Sequence, residues 1–342
     1  MTTNKYITSE KQLITSLAWF RSRYALFMGL SLERAANKQN IEAFGKRWIG
    51  AFKVDWEDAF ISLSNKNIIE CSNNEYSFTD HGNSVKDDID TEIPFYKYEY
   101  DNYFQLEHNS KAHAKFCEMV YGLNLSQHGL IDQAELSIVI DQIKINAPNS
   151  ILDIGCGNGK ITEWIAEQTQ TGCVGIDISS EAIMNANKRT KDHKFLKFEE
   201  GNLNDLSNLK EQDAVLFLDT LYYSNNLKNT ISQAHELLNA GGRIYAYFSQ
   251  WIMDVHYHEN LQVDKTHLAN VLNELKLNYT HTNLTKSGIV HWKKKLEVLN
   301  LLKNEFIAEG SDDLWKYRHQ EAERYANWGD DKYARYLYEI KK

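Results

Sequence analysis

The chain has 342 residues, 42% of them hydrophobic and 25% charged, with a formal net charge of −9 at pH 7. Length suggests about two domains, each able to bury a core, and the acidic balance excludes the broad positive field that phosphate backbones demand, so nucleic acid is not an expected partner. MTTNKYITSEKQLITSLAWF lacks a signal-peptide layout, no apolar run reaches the roughly 20 residues of a membrane span, and Cys71, Cys117, Cys156 and Cys173 show no CxxC spacing; the expectation is a cytoplasmic protein with reduced thiols, away from membranes.

The two prolines, Pro94 and Pro148, bias their neighbours away from helix and mark joints. They divide the chain into residues 1–93, 94–148 and 149–342. The first segment reads as helices followed by LSNKNIIECSNNEYSFTDHGNSV, where Ile68 and Ile69, then Tyr76 and Phe78, flank the turn-forming Ser72-Asn73-Asn74. That pattern predicts a short hairpin, with Thr79 and Asp80 capping a further helix. Helices plus a hairpin resemble a winged-helix module, which in regulators binds DNA. Residues 1–93, however, hold 11 Lys and Arg against 13 Asp and Glu, and the helix before the hairpin carries Trp56, Glu57 and Asp58 where a DNA reader needs Arg or Lys. Packing, or dimerisation into a homodimer, is the expected role.

In the third segment Ile151–Ile154, Cys173–Ile178, Phe195–Phe198, Ala214–Leu218 and Arg243–Phe248 are apolar runs of strand length. Between them lie amphipathic helix patterns: Ile161, Trp164 and Ile165; Leu227, Ile231, Ala234 and Leu238; Leu268, Val271, Leu272 and Leu275. Strands alternating with helices predict an α/β, doubly wound, mainly parallel Rossmann-like sheet.

In such a sheet ligands bind beyond the carboxyl ends of the strands. ILDIGCGNGK, residues 151–160, puts Gly155, Gly157 and Gly159 on the first strand-to-helix turn, where glycine lets a ligand lie against bare backbone. A dinucleotide fingerprint, GxGxxG, needs its third glycine at position 160, which is Lys. Asp153, just before the glycines, repels a pyrophosphate and suits a cationic ligand. Asp177 closes the next strand, 22 positions beyond Gly155, where an acid can accept both ribose hydroxyls of a nucleoside. A nucleoside with a positive charge and no pyrophosphate describes S-adenosylmethionine.

Residues 149–342 resemble the class I S-adenosylmethionine-dependent methyltransferases. ILDIGCGNGK resembles the first motif of that family and VGIDIS the second; GNLNDL resembles the segment bordering adenine, AVLFLDTLYY the fourth strand and its exit, LLNAGGRIYAYF the turn into the fifth strand, and RYLYEIKK the last, antiparallel strand. The resemblance implies that Gly155 and Gly157 line the methionine portion, with Asp153 near its amino group or a bridging water. It implies further that Asp177 holds the ribose, that Ile178 and Leu203 face the adenine, and that Asp219 stands at the methionyl end. Asn202 occupies a position where the family often has Asp.

Sulfonium is already a good leaving group, so the enzyme must chiefly align the acceptor, exclude water and, for a protonated acceptor, remove a proton. YFQLEHNSKAHAKFCEMVYGLNLSQHGLIDQAEL, residues 103–136, resembles the helical cover of methyltransferases acting on small metabolites, with Tyr103, Phe104 and His128 expected toward the cofactor. A helical insert over about residues 287–331 carries Trp292, Leu296, Leu299 and Phe306 at helical spacing. It is expected to pack as a lid, with Trp292 or His291 as the candidate pocket wall. Tyr222 and His128 are the candidate catalytic residues. In DVHYHE, His256 and His258 with Asp254 and Glu259 are read as solvated, and no metal is expected. The resulting expectation is a methyltransferase acting on a small-molecule acceptor by in-line displacement. Two alternatives stay open: a nicotinamide-dependent oxidoreductase, and a DNA-binding regulator with a metabolite-sensing Rossmann-like domain.

Overall fold

A computed structural model of the chain describes residues 5–20, 35–92, 95–252 and 255–342. Pro94, read above as a joint, and Asp254 lie outside the described residues. The chain forms two compact units, Met1–Leu106 and Glu107–Lys342.

In the N-terminal unit α1 (Thr8–Phe20), α2 (Lys38–Trp48) and α3 (Trp56–Asn65) precede a hairpin of β1 (Ile69–Ser72) and β2 (Glu75–Phe78), then α4 (Asp80–Glu92) and α5 (Phe95–Glu107). The hairpin turn is Asn73-Asn74, with φ of 51° and 62°; two successive left-handed residues match the twist of the flanking strands, and Asn tolerates that conformation. Thr79 starts α4, its Oγ1 accepting from Gly82 N at 2.9 Å. Leu13, Ile14 and Leu17 of α1 pack with Phe44, Trp56 and Phe60, so Trp56 at the head of α3 is buried in the core.

The second unit contains α6 (Lys111–Tyr121), α7 (Gln133–Asn146), β3 (Ser150–Ile154), α8 (Lys160–Thr169), β4 (Gly172–Asp177), α9 (Ser180–Thr190), β5 (Leu196–Glu200), β6 (Gln212–Leu218), α10 (Leu227–Glu236), β7 (Leu238–Trp251), α11 (His267–Glu274), β8 (Tyr279–Asn283), α12 (Thr285–Ala308), α13 (Asp312–Tyr325) and β9 (Tyr333–Lys341). Among the described residues these strands form a seven-stranded sheet in the order β5-β4-β3-β6-β7-β9-β8. Only β9 runs against its neighbours, pairing antiparallel with both β7 and β8. The chain pairs β3 with β4 and β4 with β5, then returns to lay β6 on the other flank of β3. Strand order therefore switches beside β3, where a ligand crevice is expected.

Successive residues of the central strands feed opposite layers, as a period of two requires. Leu152, Val215, Phe217 and Ile244 pack with Ile231 and Leu272 of the helices on one face. Ile151, Ala214, Leu216 and Tyr245 pack with Leu136, Ile140 and Ile165 on the other. Both faces are covered, which is why β3 and β6 read as continuous apolar runs. The strand β8, absent from the sequence-based expectations, is an exposed edge with a single half-buried residue, Tyr279. Among the described residues no helix is long and apolar enough to cross a membrane.

Candidate active site

The turn after β3 is set by positive φ at Gly155 (81°), Gly157 (56°) and Gly159 (75°). Space adds to conformation: a Cβ at Gly155 would stand 2.4 Å from Thr220 Cγ2, and one at Gly159 2.5 Å from the Phe198 ring. The turn is tied to β4 by Gly155 N and Cys156 N, which both donate to Ile176 O at 2.8 and 3.0 Å. Gly157 N donates to Asp177 Oδ2 at 2.8 Å, while Ser179 N donates to Asp177 Oδ1 at 2.8 Å. Asp177 is half-buried.

Asp153 is 1% exposed. Its Oδ2 accepts from Thr162 Oγ1 of α8 at 2.6 Å, and its Oδ1 has no hydrogen-bond partner. Burial, with the Asp177 charge adding to it, pushes its carboxyl up to about 7 although the Thr162 bond works the other way. An unpartnered buried carboxylate oxygen beside a left-handed glycine turn, with a second carboxylate at the adjacent strand tip, fits a cationic nucleoside. Farther along the crevice Leu203 is buried in the sheet core and Ile178 is half-buried. The Asn202 carbonyl is turned into its own loop, accepting from Asn204 N at 2.9 Å and Nδ2 at 3.1 Å.

The tip of β6 is built differently. Thr220 Oγ1 donates to Ile154 O at 2.8 Å, which brings Asp219 next to the Gly155 turn. Asp219 takes a φ of 65°, unfavourable for a residue with a side chain. The Arg335 fork of β9 donates to its Oδ1 at 2.6 Å and Oδ2 at 2.9 Å, and Leu130 N donates to Oδ2 at 3.0 Å. Arg335, fully buried, also donates through Nη2 to Glu135 Oε2 of α7 at 2.8 Å. Burial raises the Glu135 carboxyl above the usual range, and Arg335 offsets only part of that. Tyr222 OH donates to Asp219 Oδ1 at 3.2 Å and accepts from Ser249 N at 2.7 Å. Burial, reinforced by the Asp219 charge, holds its phenol well above its ordinary value, so it keeps its proton.

His128 lies in the loop between α6 and α7, its Nε2 3.0 Å from Tyr317 OH of α13. Desolvation pushes it down to about 3, with Arg318 and Lys295 adding and Glu321 opposing, so the ring is neutral near pH 7. Trp292 of α12 is buried against Leu130 and Tyr333, and its neighbour His291 lies 4.9 Å from the Tyr121 ring centroid. Tyr103 and Phe104 belong to the N-terminal unit, where both are buried, edge to face at 5.2 Å. His258 and Glu259 fall on a 3-10 turn spanning Val255–Leu261.

Sequence reasoning missed Arg335, Glu135, Thr162 and Lys295. Arg335 stands at an apolar-alternating position of RYLYEIKK, and Lys295 recurs three positions after Trp292; both periodicities point inward and were the available signal.

Residues 145–306 match the family model described as a methyltransferase domain. The 235L protein of Invertebrate iridescent virus 6 is 29% identical over 109 residues, covering 31% of this chain and 39% of that protein. The trans-aconitate 2-methyltransferase of Rhodopseudomonas palustris (strain BisB5) is 34% identical over 59 residues, 17% of this chain and 23% of that enzyme. The chain thus spans well under two thirds of the curated relatives it matches. Among solved structures, the Haemonchus contortus phosphoethanolamine N-methyltransferase 2 superposes with a TM-score of 0.56 at 14% identity, over 71% of this chain and 60% of that one. Residues 145–306 thus match a methyltransferase domain, on a sheet whose fold is shared with a solved methyltransferase.

Proposed function

We propose that the protein transfers the methyl group of S-adenosylmethionine to a small-molecule acceptor by in-line displacement at the carboxyl ends of β3, β4 and β6. The observation that carries this reading is the pair of strand-tip carboxylates, Asp153 with its unpartnered Oδ1 and Asp177 bonded to the Gly157 turn. Its acceptor class is supported by two of the similar proteins, which are named for trans-aconitate and phosphoethanolamine.

When bound, the cofactor supplies a methyl on a cationic sulfur that departs as a neutral thioether. Asp177 accepts the ribose hydroxyls. Asp153 offers Oδ1 to the amino group or to a water bridging to it, and Gly155 and Gly157 keep that wall of the site bare. Ile178 and Leu203 flank the adenine, and Asn202 borders its edge. Asp219 and Tyr222 stand beside the Gly155 turn, where the acceptor must approach. A phenol that keeps its proton and a histidine lowered to about 3 are weak bases at neutral pH, so Tyr222 and His128 act by orienting the acceptor, and the rate comes chiefly from alignment and exclusion of water.

The N-terminal helices and hairpin serve, in this reading, as a winged-helix-like packing or dimerisation module, and residues 94–148 as linker and cover. The four free thiols accord with the cytoplasm. Calorimetry with S-adenosylhomocysteine and, separately, NAD tests the function: saturable heat with the first and none with the second is expected, and the reverse overturns it.

A further inference from the structure

The inner face of α12 holds a lysine with no solvent exposure, Lys295. Its Nζ makes one hydrogen bond, to Glu321 Oε2 of α13 at 3.2 Å, and stands 4.1 Å from the centroid of the Trp292 ring. Burial pushes this amine down to about 7; its ammonium form has three donors and so retains capacity. Glu321 also faces Arg318 Nη1 at 3.8 Å, and Arg318 Nη2 reaches Gln127 O at 3.2 Å. Among the described residues, buried donors without an acceptor here include Trp292 Nε1 and Gln127 Nε2. The Gln127 amide is oriented by Leu125 N, which donates to its Oε1 at 3.0 Å.

The unmet atoms of Trp292 and Gln127 are N–H groups. Buried donors left without acceptors are rare in native proteins and call for an explanation, and a fully buried lysine paired with a carboxylate that is 28% exposed is weak evidence of a stabilising role. The deficit is of acceptor oxygens and negative charge. The cluster also adjoins the methyl-transfer site. Leu130 packs on Trp292 while its N donates to Asp219, and a run of rings leads from Trp292 to Tyr325 (4.7 Å), Trp251 (6.2 Å) and Tyr222 (5.3 Å). Tyr325, Trp251 and Tyr222 are each half-buried.

We propose that Lys295 and the Trp292 indole N–H form the anchoring subsite for an anionic group of the methyl acceptor, a carboxylate or a phosphate monoester, with Gln127 as a further donor. This rests on the methyltransferase reading above and specifies its substrate class. Oxygens of the anion take the idle N–H groups of Lys295, Trp292 and Gln127, and its charge balances the ammonium that Glu321 shares with Arg318. The rest of the acceptor then lies along the ring run with its nucleophile toward Tyr222.

The test is calorimetric titration of the protein, with and without saturating S-adenosylhomocysteine, using inorganic phosphate in one arm and succinate in the other. Saturable heat is expected in at least one arm, and which arm responds distinguishes phosphate from carboxylate. Lys295→Met is expected to weaken that binding at least about tenfold and Trp292→Phe about fivefold, with Lys295→Arg close to wild type and S-adenosylhomocysteine affinity unchanged in all three. Trp292→Phe keeps an aromatic ring at this position while removing the donor with part of the indole, so it reads the subsite even where the lysine variant misfolds, provided its melting temperature shows it folded. Heat in neither arm, or binding indifferent to Lys295→Arg, Lys295→Met and Trp292→Phe alike, overturns the proposal. Loss of S-adenosylhomocysteine affinity in folded Lys295→Met also overturns it, because the lysine then serves the cofactor's own carboxylate. Failure of wild type to bind S-adenosylhomocysteine sinks the methyltransferase reading instead, and the anion arms without it still report on the subsite.

Discussion

The carboxyl end of the sheet is built in two ways. On the β3–β4 side every element is local: an acid, a glycine turn and a second acid held by backbone N–H groups, with Gly157 and Asp177 only 20 positions apart. On the β6–β9 side the same plane is held by side-chain charges brought from far along the chain, Arg335 reaching Asp219 across 116 positions and Glu135 across 200. Backbone conformation restricts residue type at fixed spacing. Ion pairing restricts only the sign of the partner, wherever it lies.

Breaking the distant side should cost the most. Arg335→Met leaves Glu135 and Asp219 buried without their cation, and a loss of about 3–5 kcal/mol is expected in urea unfolding, with Glu135→Gln in the same chain restoring part of it. An unfolding midpoint within error of wild type would mean that the triad is not what fixes the β6 tip.

Breaking the local side should leave the fold and remove the ligand. Asp177→Ala is expected to weaken S-adenosylhomocysteine about 100-fold, the worth of one or two hydrogen bonds to a charged group, with little change in melting temperature. Retained affinity in that variant would place the ribose elsewhere.

The smallest effect sharpens the comparison through pH. The Asp153 carboxyl lies at about 7 against an ordinary 3.8, so the ligand-free native protein holds a proton that the unfolded chain has released. Its contribution to stability is therefore fully present below about pH 4 and is lost as pH rises to about 7. Cofactor binding carries the opposite sign, because a cationic group near Oδ1 favours the ionised acid. S-adenosylhomocysteine affinity should rise between pH 6 and pH 8, by no more than roughly tenfold per unit, with proton release measurable by calorimetry in two buffers. Asp153→Asn should flatten the profile; an unchanged slope would put Asp153 out of reach of the ligand.

Legibility in the sequence follows the same division. The hairpin, its Asn73-Asn74 turn, the Thr79 cap and the alternating strands and helices are local propensities, and they appear where periodicity placed them. The strand β8 was illegible because YTHTN is an exposed edge with no apolar run. Lys295 was hidden inside KKK, a run that reads as solvated charge, yet its first two members are exposed and the third is enclosed. Arg335 reads as an ordinary interruption of an apolar strand until its two carboxylates are in view. A buried charge is explained by its partners, and no spacing rule finds them.

One consequence follows from the position of β9, which lies between β7 and β8 in the sheet although it is the last of the three in chain order. During synthesis the ribosome delivers β7 and β8 first, so each waits with a bare margin until Tyr333–Lys341 slides in and closes nine register pairs with β7. The same insertion delivers Arg335. A nascent or prematurely terminated chain lacking those residues therefore shows both an open β7 margin, an invitation to join another copy edge to edge, and a pair of enclosed carboxylates with nothing to quench them.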